Sequence, residues 1–141
     1  MARYTDLSPF LKDLSNFELD YREPLSEQNI EKIRNKYQGI PESYLDFLKE
    51  LGAGLYFDGC IDMHSSPSFA EDVCSQVSEM ASELRGTDAI VFGLFGDSYY
   101  YFVPSKNWAI YGEDHDFSDS YHVSNDSFEV FIRRAIEAHK Q

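Results

Sequence analysis

The sequence predicts an α+β fold: an antiparallel meander sheet of about five to six strands, packed by N-terminal helices, one central helix and one C-terminal helix. Three observations predict it. Apolar residues recur at helical spacing up to Gly52, short aromatic and β-branched runs follow one another from Ala89 to Val123, and a helical pattern returns after Asp126. At 141 residues the chain reads as one domain, 1–141, large enough to fold without a metal or a disulfide.

The elements follow in order. Ser8 and Pro9 open a first helix to about Asn16, with Leu7, Phe10, Leu11 and Leu14 on one side. Glu18 to Pro24 reads as a connector. Ser26 caps a second helix carrying Ile30, Ile33 and Tyr37, which Gly39 stops. Pro41 starts a third, with Tyr44, Phe47, Leu48 and Leu51 as its stripe and Gly52 as its end. Asp58-Gly59 between Leu55-Tyr56-Phe57 and Cys60-Ile61-Asp62-Met63 predicts a hairpin, because glycine accepts the positive φ of the turn. Ser68 and Glu71 make a capping box for the central helix, whose face is Phe69, Val73, Val77, Met80, Ala81 and Leu84. Strands are expected at Ala89–Phe92, Ser98–Val103, Trp108–Tyr111 and Ser120–Val123, with Gly93–Asp97 and Pro104–Asn107 as connectors. The last helix starts near Asp126 or Ser127 and turns Phe128, Phe131, Ile132, Ala135 and Ile136 inward.

Charge is the strongest global signal. Twenty-five acids against twelve Lys and Arg give a net charge of −13. Such a surface repels nucleic acid and anionic membrane, and it speeds encounter with a basic protein. Cys60 and Cys74 form no C-x-x-C motif, so two buried, reduced thiols are expected. The first residues carry no apolar signal segment and no apolar run is long enough to span a bilayer, so a cytoplasmic location is expected.

The chain holds no G-x-S-x-G, P-loop or H-E-x-x-H motif, and no catalytic, cofactor-binding or metal residue is assigned. Glu113-Asp114-His115-Asp116 has ligand types that suit a divalent cation, but a solvated acidic loop is the expected reading. Asp97, Glu113, Asp114, Asp116 and Asp119 fall at or beyond strand ends, where loops can bring them together, so they are the candidate acidic part of an interaction surface. Tyr99 and Tyr101 share one strand face, and with Trp108 they are the candidate aromatic anchors.

Ile40-Pro41-Glu42-Ser43-Tyr44-Leu45-Asp46-Phe47-Leu48 followed by a glycine turn, the aromatic run Tyr99–Phe102, Trp108-Ala109-Ile110-Tyr111 and Ser127-Phe128-Glu129-Val130-Phe131-Ile132 together resemble the SUKH superfamily, over a core of about 26–136. Gly52-Ala53-Gly54 stands where that family has Asn-Gly-Gly, and Val103-Pro104 where it often has an acid. The resemblance implies a protein-binding domain without enzymatic activity. An immunity protein that neutralises a basic toxin, often a nuclease, is the first expectation. A regulatory scaffold for endogenous partners is the second, and a small metal-dependent hydrolase the third. No cofactor is expected, and the chain is expected to be a monomer or a homodimer.

Overall fold

The computed structural model describes residues 3–7, 21–57, 60–69, 88–95, 98–113, 120–124 and 127–138. They form β1 (Tyr21–Glu23), α1 (Glu27–Lys36), α2 (Glu42–Glu50), β2 (Ala53–Tyr56), β3 (Ile61–Phe69), β4 (Ile90–Phe95), β5 (Ser98–Val103), β6 (Ala109–Glu113), β7 (Ser120–Ser124) and α3 (Phe128–Glu137). The seven strands make one antiparallel sheet in chain order, the predicted meander. Sequence reasoning undercounts the strands because β1 lies in the stretch taken as a connector. Its three residues have no apolar alternation, and pairing with β2 alone makes them a strand.

The helix starts follow their caps. The Ser26 hydroxyl accepts from the Asn29 amide, and the Ser127 hydroxyl accepts from the Val130 amide. Pro41 opens α2 without a side-chain cap. The first predicted helix, Pro9 to Asn16, falls outside the described residues, as does most of the central one. The capping box at Ser68 does not stand. Ser68 and Phe69 finish β3, paired with Val91 and Ile90, because ladder hydrogen bonds outweigh a local cap signal. Gly93, Leu94 and Phe95, expected in a connector, extend β4. Gly93 has a packing reason: a Cβ there would lie 2.7 Å from the Asp62 carbonyl oxygen.

One face of the sheet carries the main core. Tyr56, Ile61, Met63, Ile90, Phe92, Phe102 and Ile110 pack against Ile30 and Ile33 of α1, Tyr44, Phe47 and Leu48 of α2, and Phe128, Phe131 and Ile132 of α3. Phe92 and Phe102 stack at 4.4 Å, and Tyr44 sets its ring edge-on to Phe92, Phe102 and Phe128 at 5.3 to 5.9 Å. Edge-to-face pairs of this kind add about 0.5–1.5 kcal/mol each beyond burial. A second, smaller core of Ala89, Val91, Tyr101 and Val103 lies on the other face.

Residues 3–7 are strapped across α2 and α3. The Tyr4 ring is fully buried, meets Phe47 edge-on at 5.4 Å and donates from its hydroxyl to the Ser43 carbonyl at 2.7 Å. The Arg3 guanidinium bonds Asp46 and Glu129, while Glu50 accepts from the backbone amides of Arg3 and Tyr4. Arg133 bonds Asp6, Glu129 and the Arg3 carbonyl. These groups are partly exposed, so each ion pair contributes at most about 1 kcal/mol.

Two glycines allow close docking. Gly52 has φ +104, and a Cβ on it would stand 2.6 Å from the Glu23 and Pro24 backbone. Gly39, at φ +94, lies under the Trp108 indole. Gly52→Ala is therefore expected to cost about 2 kcal/mol or more in urea unfolding, from strain and from lifting β1 off the sheet. Tyr44 is buried, its ionisation pushed well above the usual tyrosine range by desolvation, and its hydroxyl has no hydrogen-bond partner among the described residues. Tyr44→Phe should leave stability unchanged or raise it by about 1 kcal/mol. A clear loss of stability in the same measurement would show that the hydroxyl is bonded.

Candidate protein-binding face

The meander decides where the connections emerge. Strands alternate in direction, so the connections β2–β3, β4–β5 and β6–β7 all leave the same end of the sheet. The described residues that bound them are Phe57 and Cys60, Phe95 and Ser98, and Glu113 and Ser120. Asp97 and the run Asp114, Asp116 and Asp119 belong to those connections by sequence and lie outside the described residues. Glu113 is described as the last residue of β6, paired with Ser120.

Tyr99 is the second residue of β5 and so sits beside this end, half-buried on the sheet face away from the main core. Tyr101 lies on the same face but is fully buried in the smaller core, so of the two candidate anchors on this face only Tyr99 keeps surface exposed. Trp108 is not with them. It occupies the β5–β6 connection, at the opposite end, and packs on the opposite face against Phe102 and Gly39. The strand expected to begin at Trp108 begins at Ala109. Pro104–Lys106 forms a 3-10 turn, and Asn107 and Trp108 follow at φ +60 and +58, which swings the indole out of the strand and onto the helical side.

Sequence reasoning missed the neighbours of Tyr99. Leu55, Asp62, Leu94 and Tyr99 are successive cross-strand partners over four strands and are all half-buried. His64 meets Tyr99 edge-on at 6.4 Å, and Tyr111 packs beside Tyr101. The signal available was the period-two alternation Asp62, His64 against Ile61, Met63, which places the polar pair on the face away from the main core. After Met63 the ladder slips, pairing Met63 with Gly93 but Ser68 with Val91. This bulge pushes Ser65 and Ser66 outward into a shallow crevice of about 370 Å³ shared with Glu23, Asp62 and His64, with no Lys or Arg in its lining. Among the described residues no group of three His, Cys, Asp or Glu could hold a metal ion, and no helix is long and apolar enough to cross a membrane.

The remaining described acids are mostly engaged inside the molecule. Glu31 and Glu42 pair with Arg34, Glu27 with Lys49, and Asp6, Asp46 and Glu129 with Arg3 of the strap and Arg133 of α3. Hydrogen bonds from Arg34 and Arg3, respectively, hold Glu42 and Glu129 below the usual carboxylate range. Cys60 is exposed beside the β2–β3 connection, against the expectation of two buried thiols; Cys74 lies outside the described residues.

The sequence model of the SMI1 / KNR4 family (SUKH-1) matches residues 24–134. No curated protein and no solved structure gives a significant match.

Burial lowers the pKa of His64 below the ordinary histidine value, and Asp62 opposes this only in part. The unfolded chain then binds the proton more readily than the folded one. The stability contributed by neutral His64 is present above about pH 6.5 and declines as pH falls toward the folded pKa. Unfolding curves between pH 7 and 5 should show this decline, and His64→Gln should flatten it. An NMR titration placing His64 at or above the ordinary value would refute the assignment.

Proposed function

We propose that this chain, which belongs to the SMI1 / KNR4 family (SUKH-1), is a non-catalytic protein-binding domain of the immunity type. It neutralises a basic toxin, a nuclease in the first instance, by forming a stoichiometric complex. Asp97, Glu113, Asp114, Asp116 and Asp119 supply the attracting charge, and Tyr99 supplies an anchor at the edge of the acidic patch. What supports this reading is the alternation of the meander. Connections that are far apart in sequence leave one end of the sheet, and Asp97, Asp114, Asp116 and Asp119 are written into two of those connections, next to Glu113 at the end of β6.

The physical case is one of surplus. Asp6, Glu27, Glu31, Glu42, Asp46 and Glu129 share the cations Arg3, Arg34, Lys49 and Arg133, which offset much of their charge in the field seen by a partner. Most of the net charge of −13 therefore lies with acids outside these pairs. A patch of this sign attracts the cationic groove with which a nuclease holds phosphates, and it occupies that groove without chemistry. Tyr99 then supplies apolar contact beside the charge, as aromatic anchors do at interface centres. The domain works in the cytoplasm, without a cofactor, as a monomer or homodimer.

Capture of partners on the immobilised full chain, followed by stopped-flow association, tests this. Raising salt from about 50 to 500 mM should slow association by about tenfold or more, and Asp114→Lys with Asp116→Lys should slow it comparably at low salt. A partner whose association is indifferent to salt and to both reversals would overturn the acidic-patch reading.

A further inference from the structure

The strap formed by residues 3–7 is a ligand-like segment in a groove. Its floor is Phe47 and Ser43 of α2, and its walls carry Asp46 and Glu50 on one side and Glu129 and Arg133 on the other. Each feature of the occupant has a counterpart there. The Arg3 guanidinium bridges the carboxylates of Asp46 and Glu129, both at 2.9 Å. The Tyr4 ring goes down between the helices, with its hydroxyl on the Ser43 carbonyl and the Arg133 guanidinium 5.4 Å from its centroid. Glu50 takes the two successive backbone amides of Arg3 and Tyr4, and Asp6 closes the segment onto Arg133.

Two further observations mark the segment as separable from the fold it sits on. It lies outside the residues matched by the family model, which begin at 24. Its partly exposed ion pairs are of the kind that solvent and salt weaken, so the buried Tyr4 and Leu7 side chains provide most of its hold.

We propose that the groove between α2 and α3 is a peptide-docking groove, closed in this state by the chain's own Arg3–Leu7, which a partner segment carrying an arginine followed by an aromatic residue displaces. Asp46 and Glu129 select a cationic side chain, Glu50 holds the backbone beside it and Phe47 selects the ring, so the occupant seen in cis states the chemistry of the occupant in trans. This rests on the reading of the chain as a protein-binding domain and adds a second contact, on the helical side, to the acidic end of the sheet.

The test uses the full chain and a synthetic peptide of its residues 2–8, Ala-Arg-Tyr-Thr-Asp-Leu-Ser. In the double variant Arg3→Ala, Tyr4→Ala the cis segment loses its guanidinium and its ring and keeps the Leu7 and Asp6 contacts. NMR titration should then move the α2 and α3 amides, with an apparent Kd at least tenfold tighter than for the wild type. The same peptide with Ala in place of its Arg should lose the effect. A folded double variant that gives no shifts, or equal affinities for variant and wild type, overturns the proposal. Should the variant not fold, hydrogen exchange on the wild type decides. The Tyr4 and Leu7 amides should exchange at least a hundredfold faster than those of Leu48 and Ile132, and equal protection overturns the proposal. Failure here leaves the salt-dependent complex of the acidic end untouched, so the two readings fail separately.

Discussion

The aromatic contact between the sheet and α2 is the constraint from which the remaining geometry follows. Tyr44 reaches Phe92 on β4, Phe102 on β5 and Phe128 on α3 at once, so it fixes the position of two helices relative to the middle of the sheet. With those elements fixed, the strands on either side can only add in series, and the alternation of their directions sends every second connection to the same end. The surface proposed to bind a partner is in this sense a product of the core.

Separate cores on the two sheet faces have different tasks. The helical face is closed by large rings at short centroid distances and leaves little polar surface. The other face is built from small and β-branched residues around Tyr101, and it grades outward through Tyr99 and Tyr111 into half-buried positions. A gradient of this kind lets one face serve both stability and recognition, because the rings that touch solvent are anchored by neighbours that do not. The β3 strand sharpens it, with His64 set edge-on to Tyr99 while Ser65 and Ser66 face outward at the bulge.

Much of this was legible in the sequence, and what was missed has identifiable physical causes. The caps Ser26 and Ser127 and the stripes of Tyr44, Phe47 and Leu48 or Phe128, Phe131 and Ile132 are local signals, and the helices lie where those signals put them. The alternation of Tyr99 to Phe102 gave their two faces correctly, yet alternation cannot say how completely each face is covered, and Tyr101 proved buried. β1 and the far half of β3 exist through partners remote in sequence, which is why Tyr21–Glu23 reads as a connector and Ser68 as a helix cap. Trp108 was placed in a strand because its composition fits one. The left-handed backbone at Asn107 and Trp108 is a tertiary decision, made favourable by the space above Gly39 and by the edge contact with Phe102.

That placement of Trp108 has a practical consequence. It is the sole tryptophan of the chain, and its indole is partly buried at the junction of the α1–α2 corner with the β5–β6 turn. Its intrinsic fluorescence therefore reports the seating of the helices on the sheet, without any label. Emission from this ring distinguishes loosening of the helical layer from events at the far end of the sheet, which it does not touch.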